Sequence, residues 1–215
     1  MRFIVLRHQD EEGMGTVAEW LKDKGHSTFY VNLTHRQRPP TNSLTAYDAL
    51  VVMGGSMSVN DDTWIMNTSL ALTADFVQAN RPVLGICLGA QSIAKVMGAT
   101  VAQGVAEHGF GQVNPVLTHA YFKEATLDKN PWDVFHWHGE TFTLPQNFEK
   151  LFEGSTVTNQ GFTYKNSLGL QFHLEMSHEW YSMWRDCLAL RDPKDTTLPP
   201  PTTEMPFAIM KKNLF

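Results

Sequence analysis

Short apolar runs alternate with amphipathic stretches through the first half of the chain. Residues 3–6 form a compact apolar run, which predicts a first strand. Residues 15–24 then place Val17, Ala18, Trp20 and Leu21 at helical spacing, and Gly25 stops that helix. Residues 27–33 predict a second strand, and the polar, Pro-rich residues 34–46 a loop. Residues 49–53 predict a third strand ending in Gly54-Gly55, followed by a long helix over 64–79. Residues 82–87 form a fourth apolar run, and a helix over 88–97 ends at Gly98. Strands alternating with helices imply a doubly wound, mostly parallel sheet flanked by helices, of flavodoxin-like α/β class.

The second half has a different rhythm. Between residues 100 and 144, short β-branched and apolar runs are broken by Gly104, Gly109, Gly111 and Gly139. That pattern predicts a small antiparallel extension of the sheet. Residues 154–171 continue it, with a turn at Lys165-Asn166. A last helix is predicted over about 177–190. Pro193 and Pro199-Pro200-Pro201 make residues 190–215 an extended tail. No repeat or boundary divides the chain, so residues 1–215 read as a single domain.

Composition narrows the class. A net charge of −5 argues against a nucleic-acid partner and against a polybasic membrane anchor. No apolar stretch reaches the length of a membrane span, and the N-terminal run is too short for a signal peptide. Two cysteines, Cys87 and Cys187, are too few for a disulfide scaffold, so both read as reduced thiols in a cytoplasmic protein.

The chemistry centres on Gly85-Ile86-Cys87-Leu88-Gly89, between an apolar run and a helix. This is the sulfur counterpart of the Gly-x-Ser-x-Gly elbow, which holds a nucleophile on a sharp strand-to-helix turn. The helix N-terminus there favours thiolate over thiol. Flanking glycines also occur in turns without chemistry, and free cysteines are often inert and buried. Cys187 lies in a plain helical pattern and belongs to that inert class. A catalytic thiol needs a base and an orienter. Gln171-Phe172-His173-Leu174-Glu175 offers both: in an extended segment His173 and Glu175 share a face.

Taken together these segments resemble class I glutamine amidotransferases. Residues 82–91 (PVLGICLGAQ) are similar to that family's nucleophile motif, and residues 169–175 (GLQFHLE) to its His-Pro-Glu segment. Met53-Gly54-Gly55-Ser56 resembles its oxyanion loop. Residues 135–140 (FHWHGE) look like the segment preceding the catalytic histidine in relatives of the GMP synthase amidotransferase domain. Leu174 and Ser56 stand where relatives often carry proline, which alters local stiffness but keeps the reactive side chains. The resemblance implies a triad of Cys87, His173 and Glu175, oxyanion donors at Gly55 and Leu88, and substrate contacts from Gly54, Gln91 and His138. Gln91 could equally be an ordinary helix-surface amide.

His136 and His138 with Glu140 could bind zinc, but no recognised zinc spacing accompanies them. They read instead as a pocket wall with Phe135 and Trp137 on the opposite face, and neither a metal nor another cofactor is expected. His8 reads as a residue of the site rim. The Trp- and Met-rich helices read as core packing, although an exposed Trp184 face would suit a homodimer interface.

The resemblance implies hydrolysis of glutamine, with ammonia passing to a synthase. The chain lacks a Ser-Gly-Gly-x-Asp-Ser loop for ATP chemistry, so any synthase is a separate polypeptide. Two alternatives stand beside this: a free-standing hydrolase of γ-glutamyl amides or peptides using the same triad, and an inactive binding module of the same fold.

Overall fold

The computed structural model describes residues 1–120, 130–176, 180–184 and 186. Strands β1 (Arg2–Arg7), β2 (Ser27–Asn32), β3 (Ala49–Val52) and β4 (Val83–Ile86) alternate with helices α1 (Gly15–Asp23), α2 (Ser43–Ala46), α3 (Trp64–Gln78) and α4 (Leu88–Val96). Then come β5 (Val101–Pro115), β6 (Trp132–Phe142), β7 (Glu149–Gly154), β8 (Gly161–Tyr164) and β9 (Ser167–Leu170). They form one nine-stranded sheet in the order β2-β1-β3-β4-β9-β8-β7-β5-β6. β2, β1, β3, β4 and β9 are parallel to their neighbours in that stretch, and the pairs from β9 through β8, β7 and β5 to β6 are antiparallel. The doubly wound, flavodoxin-like α/β reading therefore describes the molecule, and the antiparallel extension carries the far side of the sheet.

Alternation along the parallel strands explains the two layers. Phe3, Val5, Ala49 and Val51 face one side, where Val17 and Leu21 of α1 cover them. Ile4, Leu6, Leu50 and Val52 face the other, against Met66, Phe76 and Val77 of α3 and Ile93 of α4. Both faces of these strands are buried, which is why they read as continuous apolar runs. The stretch expected to be a loop over 34–46 contains a 3-10 turn at Leu33–His35 and the short α2. The Lys165-Asn166 turn lies between β8 and β9, with Lys165 at φ 50°.

Of the expected last helix, residues 180–184 and 186 are helical; the rest of it, the tail and Cys187 lie outside the described residues. Tyr181 and Trp184 are buried against Phe135, so the Trp184 ring belongs to packing and not to an exposed face. Among the described residues, no helix is long and apolar enough to cross a membrane.

Candidate active site

The carboxyl ends of β1, β3 and β4 converge on one cavity of about 380 Å³, the place where open α/β sheets bind ligands. Cys87, Gly55, Gln91, Trp137, His138 and Glu140 are among its walls.

Cys87 is the residue between β4 and α4, at φ 52° and ψ −107°. A non-glycine residue in that region is strained by about 1–3 kcal/mol and persists only where its surroundings impose it. The surroundings here are close backbones. A β-carbon at Gly89 would collide with the Val52 carbonyl, and one at Gly85 with the Gly89 carbonyl. Only glycine at both positions lets α4 start this close to the sheet. The backbone N–H of Cys87 donates to the Leu170 carbonyl of β9 at 2.8 Å, which fixes the elbow to the neighbouring strand.

His173 and Glu175 were expected on one extended strand. Instead β9 ends at Leu170, and the following residues form a bridge and a turn. The two side chains meet all the same: His173 Nδ1 lies 2.7 Å from Glu175 Oε1. Backbone contacts hold both residues. His173 N–H donates to the Phe135 carbonyl of β6 at 2.8 Å, and Thr16 at the start of α1 donates its N–H to the Glu175 carbonyl at 3.1 Å. The Trp184 ring packs edge-on against the imidazole, 5.3 Å between centroids.

Electrostatics favour a charged imidazole. Complete burial alone would pull the His173 pKa down, but the Glu175 carboxylate and the Cys87 sulfur more than reverse this, leaving it well above the ordinary 6.5. The sulfur is thus near enough to act on the ring, although Nε2 has no partner at hydrogen-bond geometry. The sulfur itself sits 3.7 Å from the Trp137 carbonyl and 3.8 Å from Gln171 Nε2. Gln171 belongs to the quoted motif, but its contact with sulfur was not foreseen.

Gly54 and Gly55 follow β3 at the cavity mouth. Gly55 is packed between His8, Leu88 and Met57, each 2.9 Å from where a β-carbon would stand. Gly55 and Leu88 therefore adjoin beside Cys87, and Leu88, the first residue of α4, has an N–H without an intrahelical acceptor. Gln91 is buried, not on the helix surface. Its Nε2 donates to the Glu140 carbonyl at 3.0 Å and to Gln171 Oε1 at 3.3 Å. Both N–H groups are thereby used, leaving its Oε1 as the atom able to accept from a ligand.

Two expectations change. His8 is not at the rim: it is fully buried, with Nδ1 3.1 Å from the Met53 carbonyl and Nε2 2.8 Å from Ser69 Oγ. Burial lowers its pKa to about 4 against the opposing pull of those carbonyls, so it is a neutral strut under the Gly54-Gly55 loop. His136 is not part of the cavity wall, whereas His138 and Trp137 both are. The acid that joins the two histidines is Glu107, not Glu140, which accepts from Ser58 Oγ at 3.0 Å.

A further residue had no signal in the sequence. Glu12, in the loop between β1 and α1, lines the cavity with its carboxyl buried beside the catalytic candidates. Burial pushes its pKa up to about 7, while the His173 charge pulls it down and the Glu175 charge pushes it up.

Comparison with known proteins identifies the family. The family model for class I glutamine amidotransferases matches residues 15–186. A glutamine amidotransferase-like protein of Salmonella typhimurium is 29% identical over 187 residues, covering 83% of this chain and 77% of that one. One of the chains of the glutamine-hydrolysing GMP synthase of Methanospirillum hungatei is 30% identical over 133 residues, 60% of this chain and 64% of that one. The crystal structure of a glutamine amidotransferase from Thermotoga maritima superposes with a TM-score of 0.82 at 29% identity, covering 92% of this chain and 86% of that one. The chain belongs to the class I glutamine amidotransferase family.

Proposed function

We propose that this chain hydrolyses the side-chain amide of glutamine through a γ-glutamyl thioester on Cys87, and that the released ammonia serves a separate synthase subunit. The observation that carries the reading is the strained Cys87 elbow beside a buried His173–Glu175 pair whose imidazole is held in its charged form. Nothing in the packing of the sheet requires a non-glycine residue at φ 52°.

In the proposed reaction the Cys87 thiolate attacks the amide carbonyl. The carbonyl oxygen takes the electron pair, and the N–H groups of Gly55 and Leu88 hold it; losing one such donor typically costs about 3 kcal/mol of barrier. Collapse of the intermediate breaks the C–N bond, and His173 gives its proton to the leaving nitrogen. The neutral imidazole next takes a proton from water, whose oxygen attacks the thioester. Glutamate departs and the thiolate returns, paired again with the imidazolium. Glu175 holds the ring through Nδ1 in both steps. In this reading Gln91 Oε1 and His138 at the cavity wall, together with Gly54, would meet the substrate.

A second reading uses the same triad on γ-glutamyl amides or peptides, with the amine released to water. The cavity of about 380 Å³, walled by Trp137, Trp184 and Met57 beyond the sulfur, favours it by offering room for a larger leaving group. The two are separated by measuring turnover of glutamine against a panel of γ-glutamyl amides, with and without a GMP synthase-type ATP-using partner chain, and with Cys87→Ser as control. Glutamine turnover that rises at least tenfold with the added partner supports the first reading. Steady hydrolysis of γ-glutamyl amides by the chain alone supports the second. No turnover of any amide, with no labelling of Cys87 by a glutamine-analogue electrophile, would leave a binding module of the same fold.

A further inference from the structure

Behind the cavity wall, three side chains converge on the face of the β5–β6 ribbon away from Phe135 and Trp137. Glu107 of β5 stands directly opposite His138 of β6 in the strand register, just past the bulge between Gln103 and Glu107. Residues opposite each other in an antiparallel pair point to the same face, and so do residues two apart on one strand. His136 therefore joins them. Its own opposite residue is Gly109, which supplies no side chain to fill the space. Glu107 Oε2 lies 3.1 Å from His138 Nε2 and 3.7 Å from His136 Nδ1, and one donor atom from each of the three lies within 4.8 Å of the others.

The polar bookkeeping of this cluster is incomplete. His136 Nδ1 and both ring nitrogens of His138 are buried without an aligned hydrogen bond. Both imidazoles are buried, and a ring nitrogen that carries no proton has a lone pair to donate. Glu107 Oε2 accepts a hydrogen bond from Gln160 Nε2 at 2.6 Å. Buried polar atoms in a native protein have partners, and each exception calls for an explanation. A water bonded to one of these nitrogens would leave the others without a partner.

We propose that Glu107, His136 and His138 form a binding site for a divalent transition-metal ion of the zinc class, behind the cavity wall. The donor set is two imidazole nitrogens and a carboxylate oxygen, which suits Zn²⁺ and not Mg²⁺ or Ca²⁺, whose sites are built from oxygen. Four-coordinate zinc with bonds of about 2.1 Å sets its ligands about 3.4 Å apart. The two distances from Glu107 Oε2 fall on either side of that value. Gln160 would orient the carboxylate from outside the coordination shell, as partners of metal ligands commonly do. Three protein ligands leave a fourth position for water. All three come from paired strands, so the donors are placed by the ladder and not by a loop. The bound ion would pin the ribbon that carries the Trp137 carbonyl against the Cys87 sulfur.

The test needs no turnover. The full chain is stripped with a chelator, titrated with Zn²⁺ against a chromophoric competitor, and assayed for metal after desalting. One equivalent of Zn²⁺ per chain is expected for the parent and equally for Cys87→Ser, with binding at least tenfold weaker in Glu107→Gln and in His136→Gln. X-ray absorption of the zinc-loaded parent should show two imidazoles and oxygen without sulfur, a readout independent of how the variants fold. Mg²⁺ should not compete. The proposal is overturned if the parent retains no stoichiometric zinc, if a sulfur shell appears, or if binding disappears with Cys87→Ser but survives both ligand substitutions.

Discussion

The carboxyl of Glu12 fills the space in which a side chain at Gly54 would stand: a β-carbon there would collide with Oε2 and lie 3.4 Å from His173 Cε1. The first residue of the Gly54-Gly55 loop is thus glycine because a buried acid and the imidazole already occupy its surroundings. Gly54→Ala should cost about 1–3 kcal/mol of stability, the usual range for overpacking, and should lower turnover by displacing Glu12 or the ring. The two positions are coupled, so the cost should shrink when Glu12→Ala is added. Denaturant melts of both single variants and the double measure this directly. Additive effects would mean that Glu12 and Gly54 do not share that space.

Glu12 also makes a prediction about pH. Its ordinary pKa of 4.5 becomes about 7 on folding, chiefly through burial. The folded chain then binds this proton more tightly than the unfolded chain does. The resulting stabilisation is fully present below about pH 4.5 and is lost as pH rises through 7. With 1.36 kcal/mol per pKa unit, up to about 3 kcal/mol is at stake. Glu12→Gln should therefore flatten the stability profile between pH 5 and pH 8. A parent and variant with parallel profiles over that interval would show that Glu12 is ionised when folded.

Glu175 governs the charge of His173. Burial works against the imidazolium, and the carboxylate 2.7 Å away is the largest influence opposing it. With the raised pKa, the contribution of His173 to stability is present below 6.5 and lost as pH rises through the folded value. Glu175→Gln keeps the hydrogen bond but removes the charge, so the ring should become neutral at pH 7. Alkylation of Cys87 by iodoacetamide at pH 7 should slow at least tenfold, and turnover should fall by about 10²–10⁴. An unchanged alkylation rate would mean that the sulfur is not paired with this imidazole.

Much of the site was legible because the relevant signals are local. The elbow declares itself in five consecutive residues, since Gly85 is dictated by the Gly89 carbonyl within the strand–turn–helix unit and Gly89 by the Val52 carbonyl of the adjacent β3. The apolar runs of β1, β3 and β4 are continuous because both of their faces are covered. What was not legible depends on pairing between distant strands. Glu107 meets His136 and His138 through the register of β5 on β6 and the bulge within it, and no spacing in the sequence records either. Glu12 sits in an irregular loop whose path is set by what it packs against, including the Arg7 side chain that donates to its carbonyl at 3.3 Å. His8 looked like a rim residue because it ends a strand. Its burial follows from Ser69 on α3, far along the chain.

The backbone of Cys87 separates the requirements of chemistry from those of folding. At φ 52° and ψ −107°, any residue with a β-carbon is strained, and glycine is not. Cys87→Ala removes the sulfur and keeps the strain, whereas Cys87→Gly removes both. Glycine normally costs about 0.5–1 kcal/mol relative to alanine through the freedom it gains when unfolded. Strain of about 1–3 kcal/mol outweighs that, so Cys87→Gly should be the more stable of the two, by about 1 kcal/mol. Both should be inactive, and neither should be labelled at residue 87 by a thiol reagent. Urea melts of the pair decide the matter, because the lost sulfur contacts to the Trp137 carbonyl and Gln171 are common to both variants. If the alanine variant proves the more stable, the elbow stores no strain, and the geometry of Cys87 can no longer be read as a conformation imposed for the sake of its reactivity.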